Sequence, residues 1–493
     1  MKTPITLSLF LCFHCVGSLL AQEELASAEM KVKEYASTVV LPIIDKNKNI
    51  HIFGISDNAP SNKDVAHITY STETTALTQT YYEKPKDVPF KQAVGIDVDA
   101  SNTINIYFHN KGKGEFHSMV LDQEGNLGHQ SFELKTKKEK VIQYLSVDNA
   151  FLMLTVSRNQ SVLNLYEITG NTYEKTTFDL SGERFYSKDS KLVTLSDILG
   201  KASISSVTSE LSNRAKDFGE RIKIYPQKGT IIITLNNNDN GTRIITLDRQ
   251  SNTASADYIP MPTKEFAEGA ESSIKTNSFL FEDKIFSLIV STKLLVIDIK
   301  NRDSKEVLKV LKFSPDQKIS LVQSRSSVLP IGPISIATNN TKQKEKNAKK
   351  FFRDMKYAIY SGLFVQPFDA GLLMKIGGHT PPTSAVSTMG GPGTLSAGTD
   401  AFGNVTIAST APVGTSSTGY STSYGFETFT LLDSNSYDAM DNGTYPDIYD
   451  KANALTEDQK GIQLETLLKY EDYFIYGFYN KKEDRYRLVK IQP

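Results

Sequence analysis

The sequence predicts an all-β protein assembled from one repeated four-stranded unit. From Thr38 onward, short runs rich in Val, Ile, Tyr, Phe and Thr are punctuated by clusters of Asn, Asp, Gly and Lys. A 3.6-residue periodicity is nearly absent, and the pattern of run and turn recurs at a spacing of about 45 residues.

The plainest unit spans Ala93–Val98, Thr103–Phe108, Phe116–Leu121 and Gly128–Leu134, with turns at Ala100-Ser-Asn, Asn110-Lys-Gly-Lys-Gly and Asp122-Gln-Glu-Gly-Asn. Three further copies follow the same plan. The first runs over Val141–Val147, Phe151–Ser157, Val162–Ile168 and Thr172–Leu180; the second over Ile222–Tyr225, Thr230–Leu235, Arg243–Leu247 and Ala254–Ile259; the third over Ser278–Glu282, Ile285–Val290, Leu294–Ile299 and Val307–Phe313. An earlier copy is read at Val39–Ile44, Ile50–Ile55, Ala66–Tyr70 and Thr78–Tyr82, and a disturbed one at Tyr357–Val365, Leu372–Ile376 and Phe426–Leu432. Leu464–Tyr470, Tyr473–Tyr479 and Arg485–Ile491 supply only three strands, and Met30–Tyr35 is the expected fourth, which joins both ends of the chain in one unit and leaves no open edge.

Four strands per repeat at this period resemble the β-propeller superfold, with seven blades expected and six as the alternative count. The resemblance names no family. The chain has no Trp, so it lacks the Trp-Asp dipeptide of WD40 blades, the Trp-docking repeats of quinoprotein dehydrogenases and the Trp of the sialidase box.

Residues 1–22 read as a secretory signal peptide: Lys2, an apolar run from Ile5 to Leu20, and Ala21 before Gln22. The ending Leu19-Leu20-Ala21-Gln22 is similar to signal ends common in one large group of Gram-negative bacteria. Cys12 and Cys15 are the only cysteines and lie inside this segment, which leaves residues 23–493 without a thiol for a disulfide or thiolate site. No later stretch offers the roughly 20 apolar residues of a membrane span. The expectation is an exported single-domain protein, periplasmic, outer-membrane-associated or secreted, and not integral to a membrane. Its 55 basic and 56 acidic residues give a formal charge of −1, which removes the electrostatic case for nucleic acid as a partner.

Three insertions interrupt the repeat, at 183–219, 318–354 and 376–426. The first contains Leu195-Ser-Asp-Ile-Leu199 and then Leu211, Ala215 and Phe218 at helical spacing, read as a short amphipathic helix against one face. The second carries Lys342, Lys344, Lys346, Lys349, Lys350 and Arg353 on a helix over 341–354 capped by Thr341, read as a solvated charged face. The third is rich in Gly, Ser, Thr, Ala and Pro, a composition that reads as a long loop suited to lying over a partner or threading into a pore. Its candidate partner-binding residues are Gly390, Gly391, Phe402, Tyr420 and Tyr424.

Signatures of chemistry are sparse, and no residue is assigned a catalytic role. The histidines after residue 22 (His51, His67, His109, His117, His129 and His379) form no metal-binding helix or strand pair, although His109, His117 and His129 share one blade. The chain carries no nucleophile elbow, phosphate-binding loop or dinucleotide fingerprint. Asn236-Asn-Asn-Asp-Asn-Gly241 imitates the start of a calcium loop, but Leu247 stands where a bidentate Glu is needed, so it reads as a hairpin turn. Asp433, Asp438 and Asp441, with Asn435, Asp447 and Asp450, make a more oxygen-rich segment, the weak candidate site for calcium; no other cofactor is expected. Tyr470, Tyr473, Tyr476 and Tyr479 suit strand packing first, and sugar stacking or a protein contact second.

Two functions follow. The first is a noncatalytic propeller that binds a protein partner in the envelope, such as an outer-membrane barrel or an export channel; in broad architecture it resembles the propeller subunit of the outer-membrane barrel-assembly machine. The second is a propeller that binds or cleaves glycan in its central channel with carboxylates and tyrosines.

Overall fold

The computed structural model describes residues 23–30, 38–56, 65–82, 93–110, 114–134, 136–147, 149–207, 215–263, 274–316, 325–329, 348–368, 371–380, 396–399, 405–408, 423–440, 448–456, 459 and 461–492. Within these, seven antiparallel sheets follow one another along the chain as the blades of a β-propeller. Blade 1 comprises Thr38–Ile44, Ile50–Ser56, Val65–Ser71 and Ala76–Tyr82; blade 2, Ala93–Val98, Ile104–Asn110, Glu115–Leu121 and Leu127–Glu133; blade 3, Glu139–Val147, Ala150–Ser157, Val162–Thr169 and Thr172–Asp179. Blade 4 comprises Ile222–Gln227, Thr230–Leu235, Gly241–Asp248 and Thr253–Pro260; blade 5, Lys275–Phe281, Lys284–Val290, Leu295–Asn301 and Val307–Phe313. In blade 6 the order from inner to outer edge is Tyr360–Phe368, Gly371–Thr380, Ser423–Leu432 and Arg325–Leu329, and in blade 7 it is Ile462–Tyr470, Tyr473–Asn480, Arg485–Ile491 and Glu23–Glu29.

The blades stack face to face, and the alternation of strand side chains divides each blade between two cores. In the second strand of blade 3, Phe151 and Met153 pack with Tyr107 and Phe116 of blade 2, while Leu152, Leu154 and Val156 pack with Ile224, Ile231 and Ile233 of blade 4. Both faces being covered, every residue from Phe151 to Val156 is buried, and the run is continuously apolar but for Thr155. A bulge between Ala93 and Gly95 turns Val94 toward blade 3 and leaves Ile96 and Val98 toward blade 1. First strands are buried along most of their length and last strands alternate toward solvent, as in Thr253–Pro260, so the first strand of each blade lies innermost.

The chain ends meet as expected, but one strand earlier. Glu23–Glu29 pairs antiparallel with Arg485–Ile491 as the outer strand of blade 7, and Met30, expected to begin that strand, is instead the buried residue that follows it. Residues 31–37 lie outside the described residues. Blade 7 packs on blade 1 through Leu464, Leu468, Ile475 and Tyr479 against Ile50, Ile52 and Ile68. Its other face is covered by helix Ile448–Thr456, whose Ile448 and Ala452 meet Phe474, Tyr476 and Val489. Among the described residues blades 6 and 7 share no core cluster.

The segment expected as an insertion at 318–354 is in part blade: Arg325–Leu329 is the fourth strand that the disturbed copy lacked, supplied out of order ahead of its neighbours. Tyr357 closes helix Ala348–Tyr357 and does not open a strand. That helix buries Phe351, Phe352 and Met355 against blades 5 and 6, while Lys349 stays exposed and paired with Asp316. Thr341, its expected cap, is outside the described residues.

Buried or half-buried carboxylates bond to tyrosines in three blades. Asp97 accepts from Tyr107 Oη and Asn105 Nδ2, each at 2.7 Å; Glu139 accepts from Tyr166 Oη at 2.9 Å; Glu465 accepts from Tyr476 Oη. Burial pushes Asp97 up to about 7, against the pull of its two donors. A carboxyl whose folded pKa is raised contributes stability that is complete below its unfolded value near 3.8 and is lost as pH climbs through about 7. Asp97→Asn removes that titration, so its unfolding free energy relative to the parent is expected to rise steadily between about pH 4 and pH 7 in denaturant titrations. A constant difference across that range would show that Asp97 does not titrate there.

Candidate functional site

Strand direction alternates within a blade, so its four connections fall on two faces of the ring. Among the described residues, one face receives the first and third turns, at 45–49, 72–75, 99–103, 122–126, 170–171, 228–229, 249–252, 282–283, 302–306 and 471–472. None of these exceeds five residues. Several of the turns bond to their neighbours across blades: Lys48 pairs with Glu471 at 2.7 Å, Lys46 N donates to Asn102 Oδ1 at 2.8 Å, and Val98 N donates to Asn149 O at 3.2 Å. The opposite face receives the second turns and most of the links between blades, and all three expected insertions leave from it; the link from blade 6 to blade 7 instead leaves Leu432, beside Gly371 on the first face.

The first insertion does more than pack a helix on that face. Helix Leu195–Leu199 starts in a reciprocal cap, where Thr194 Oγ1 accepts from Asp197 N and the Asp197 carboxylate accepts from Thr194 N, and it buries Leu195, Ile198 and Leu199 under blades 3 and 4. The chain then turns inward. Ile204–Ser206 pairs in parallel with the innermost strand of blade 4, on the side away from the rest of that blade, and also lies against the inner strand of blade 3. Helix Ala215–Phe218 reaches blade 6. Gly362 of that blade is required by this contact, because a Cβ there would lie 2.2 Å from Phe218 O. Leu211 lies outside the described residues, and Phe218 is fully buried. These segments occupy the interior beside blades 3, 4 and 6, which is space a glycan bound in the channel would need.

A buried polar node fastens this return. Lys223 is fully buried and donates to Asn277 Oδ1 at 2.6 Å, to Ser278 O at 3.0 Å and to Glu220 O. Asn277 Nδ2 donates to Gly219 O at 2.9 Å and to Ser361 O at 2.8 Å, so one amide ties blades 4, 5 and 6 to the end of the insertion. Burial pushes Lys223 down to about 7 and Glu220 up to about 7; Ser203 Oγ, donating at 2.8 Å, steadies the Glu220 carboxylate. Perturbed groups of this kind mark functional and structural sites alike. Here all three ammonium hydrogens are engaged, which makes Lys223 a clamp. Sequence reading passed over it because a lone Lys in a strand carries no motif.

Of the expected partner-binding residues, Gly390, Gly391, Phe402 and Tyr420 lie outside the described residues. Tyr424 sits in strand Ser423–Leu432, opposite Val328 and Thr380 in register. The loop expected over 376–426 is shorter than that range, because strands continue to Thr380 and resume at Ser423, and it contains a hairpin of Ser396–Thr399 and Val405–Ala408. Asp433 accepts from Asn435 N and Ser436 N within its own turn, and Asp438 pairs with Lys309 at 2.6 Å; Asp441 lies outside the described residues. No group of three His, Cys, Asp or Glu suited to a metal gathers among the described residues.

Strand pairing brings His117 and His129 into ring contact, centroids 5.8 Å apart, and His109 meets Tyr144 Oη. A pairing that sequence reading missed joins His51 Nδ1 to His67 Nε2 at 3.0 Å, with Asp45 3.3 Å from His51 Nε2; burial pushes His67 down to about 3. Tyr470, Tyr476 and Tyr479 are buried strand residues. Asn236–Asn240 is the expected hairpin turn. No helix of the described residues is long and apolar enough to cross a membrane.

No family model and no curated protein matches the chain. Among solved structures it is similar to the Dos1 propeller, at 10% identity over 95% of both chains and a TM-score of 0.34. It is also similar to the β-propeller domain of Myceliophteria thermophila Cps50 (Swd1), at 9% identity over 94% of this chain and 99% of that one, TM-score 0.30. A GH43_1 enzyme from Xanthomonas citri covers 55% of this chain with 84% of its own, at 10% identity and a TM-score of 0.23. At these scores, function rests on the residues of the chain itself.

Lys223→Met keeps the volume and removes the donor that three buried acceptors share. A loss of about 3 kcal/mol or more in unfolding free energy is expected by chemical denaturation. A loss below about 1 kcal/mol would show that the node does not hold the insertion in place.

Proposed function

We propose that this chain is a noncatalytic, protein-binding propeller of the bacterial cell envelope, an accessory or scaffold subunit that docks through its insertion-bearing face. The partner class is an outer-membrane barrel, an assembly complex or an export channel. One observation carries the reading: the insertions at 183–219, 318–354 and 376–426 all leave from a single face, while the first and third turns on the other face are five residues or fewer and cross-linked between blades. Loops of such length on a rigid ring supply contact surface in the way that loops on other scaffolds do. The interior is filled beside blades 3, 4 and 6, and the polar groups there are spent on one another, which favours binding at a face over chemistry in a channel. Export and the envelope location belong to the same proposal and rest on residues 1–22.

The strand limits define a clean test. A variant in which a short Gly-Ser linker replaces 381–422 keeps Gly371–Thr380 and Ser423–Leu432 intact. Tagged full-length and deleted proteins are to be recovered from detergent-solubilised envelopes and the retained proteins identified by mass spectrometry. A stoichiometric membrane partner present with the full chain and lost on deletion is the expected result. No partner with either protein, at unchanged melting temperature, would refute the docking role.

A further inference from the structure

The first insertion holds a small hairpin, Phe185–Tyr186 paired with Leu192–Val193, whose two sides differ sharply. Phe185 and Val193 face inward onto the core shared by blades 3 and 4. Tyr186 and Leu192 are directly opposed on the outer side, 44% and 67% exposed, and Leu192 is among the most exposed large apolar residues described. An aromatic paired with an aliphatic across two strands is a stabilising combination with no gain to the chain in leaving it bare.

The hairpin is rigidly mounted. Its turn closes on itself through Ser187 N to Lys191 O at 2.8 Å and Ser190 N to Ser187 O at 3.0 Å. From blade 4, Asn237 Nδ2 donates to Tyr186 O, and Asn238 Nδ2 donates to Ser187 O at 3.2 Å and Ser190 Oγ at 3.3 Å. Arg243 pairs with Glu183 and lies over the Phe185 ring, 5.5 Å from its centroid. The Asn-rich turn at 236–240 therefore buttresses the hairpin. Because Arg243 neutralises Glu183, the exposed charges left on and beside the hairpin are Arg184, Lys188 and Lys191 against Asp189 alone. None of these three cations is paired with a carboxylate among the described residues, and Lys188 also adds to the positive field felt by Lys275.

We infer that the Tyr186–Leu192 hairpin is a docking epitope for an acidic protein segment, one that sets an apolar side chain on the Tyr186/Leu192 pair and carboxylates beside Arg184, Lys188 and Lys191. A pre-ordered aromatic anchor costs little side-chain entropy on binding, and surrounding cations select the sign of the partner. The inference rests on the proposed docking role of the insertion face and names the contact chemistry within it.

The probe is a fluorescein-labelled nonapeptide with one Phe and one Leu among Glu residues, compared with the same peptide carrying Lys in place of every Glu. Fluorescence anisotropy with the full chain is expected to give at least about tenfold tighter binding of the acidic peptide, with the gap closing as salt is raised. The double variant Tyr186→Ser, Leu192→Ser should lose about tenfold in affinity at an unchanged melting temperature, because both side chains are exposed. Equal affinity for the two peptides, no measurable binding, or full binding by the double variant would overturn the inference. The envelope recovery experiment separates the two levels: a partner lost on deletion of 381–422 but kept by the double variant sinks the hairpin and leaves the docking face standing, whereas a partner lost in the double variant supports both.

Discussion

Everything in this molecule depends on one constraint: a blade has two apolar faces and no core of its own. Phe151 and Met153 need blade 2, and Leu152, Leu154 and Val156 need blade 4, so no sheet is satisfied until both neighbours are present. A row of such sheets always leaves two raw faces at its ends. Curving the row brings those ends together, and the helix Ile448–Thr456 covers the face of blade 7 that blade 6 does not share. The insertions are tolerable because they are hung on a body whose stability is settled elsewhere.

The interior shows what the ring does with its remaining space. A strand added at the axis side of blade 4 would normally strand polar groups, yet Ser205 Oγ finds Asp217 O at 2.8 Å, and Lys223 and Asn277 take up the carbonyls of Gly219, Glu220, Ser278 and Ser361. Carbonyls dominate that set, which is why a cationic donor stands at its centre. The node is the mark of a filled interior.

Much of the blade plan was legible, because period-two alternation and turn residues are local: the strands of blades 2 and 3 fall within a residue or two of where Val, Ile and Tyr runs place them. Blade 6 was harder. Its outer strand, Arg325–Leu329, is separated from its partner Ser423–Leu432 by a helix, two other strands of the blade and a long connection, and no local pattern announces that pairing. Ile204–Ser206 is three residues long and pairs only because the axis side of blade 4 offers a free edge. The closing strand was misplaced by one run because Met30 is buried like a strand residue while Glu23–Glu29 is amphipathic and acidic. The hairpin at 185–193 was invisible for a related reason: its partner, the 236–240 turn, looks in sequence like a loop aimed at a cation.

The pairing of Glu23–Glu29 with Arg485–Ile491 also imposes an order in time. Ser27 and Arg485 are bonded across 458 residues of chain, so the contact that completes blade 7 joins the first segment described to one of the last. Loop entropy for such a span grows only logarithmically, but the search cannot begin until the final strand exists. Earlier blades can gather on one another as they emerge; the last one waits. A chain interrupted anywhere before Arg485 therefore keeps an unpaired first strand and an incomplete ring, exposed to proteases and to other edges, and only an intact chain reaches the state in which no blade is missing its neighbour.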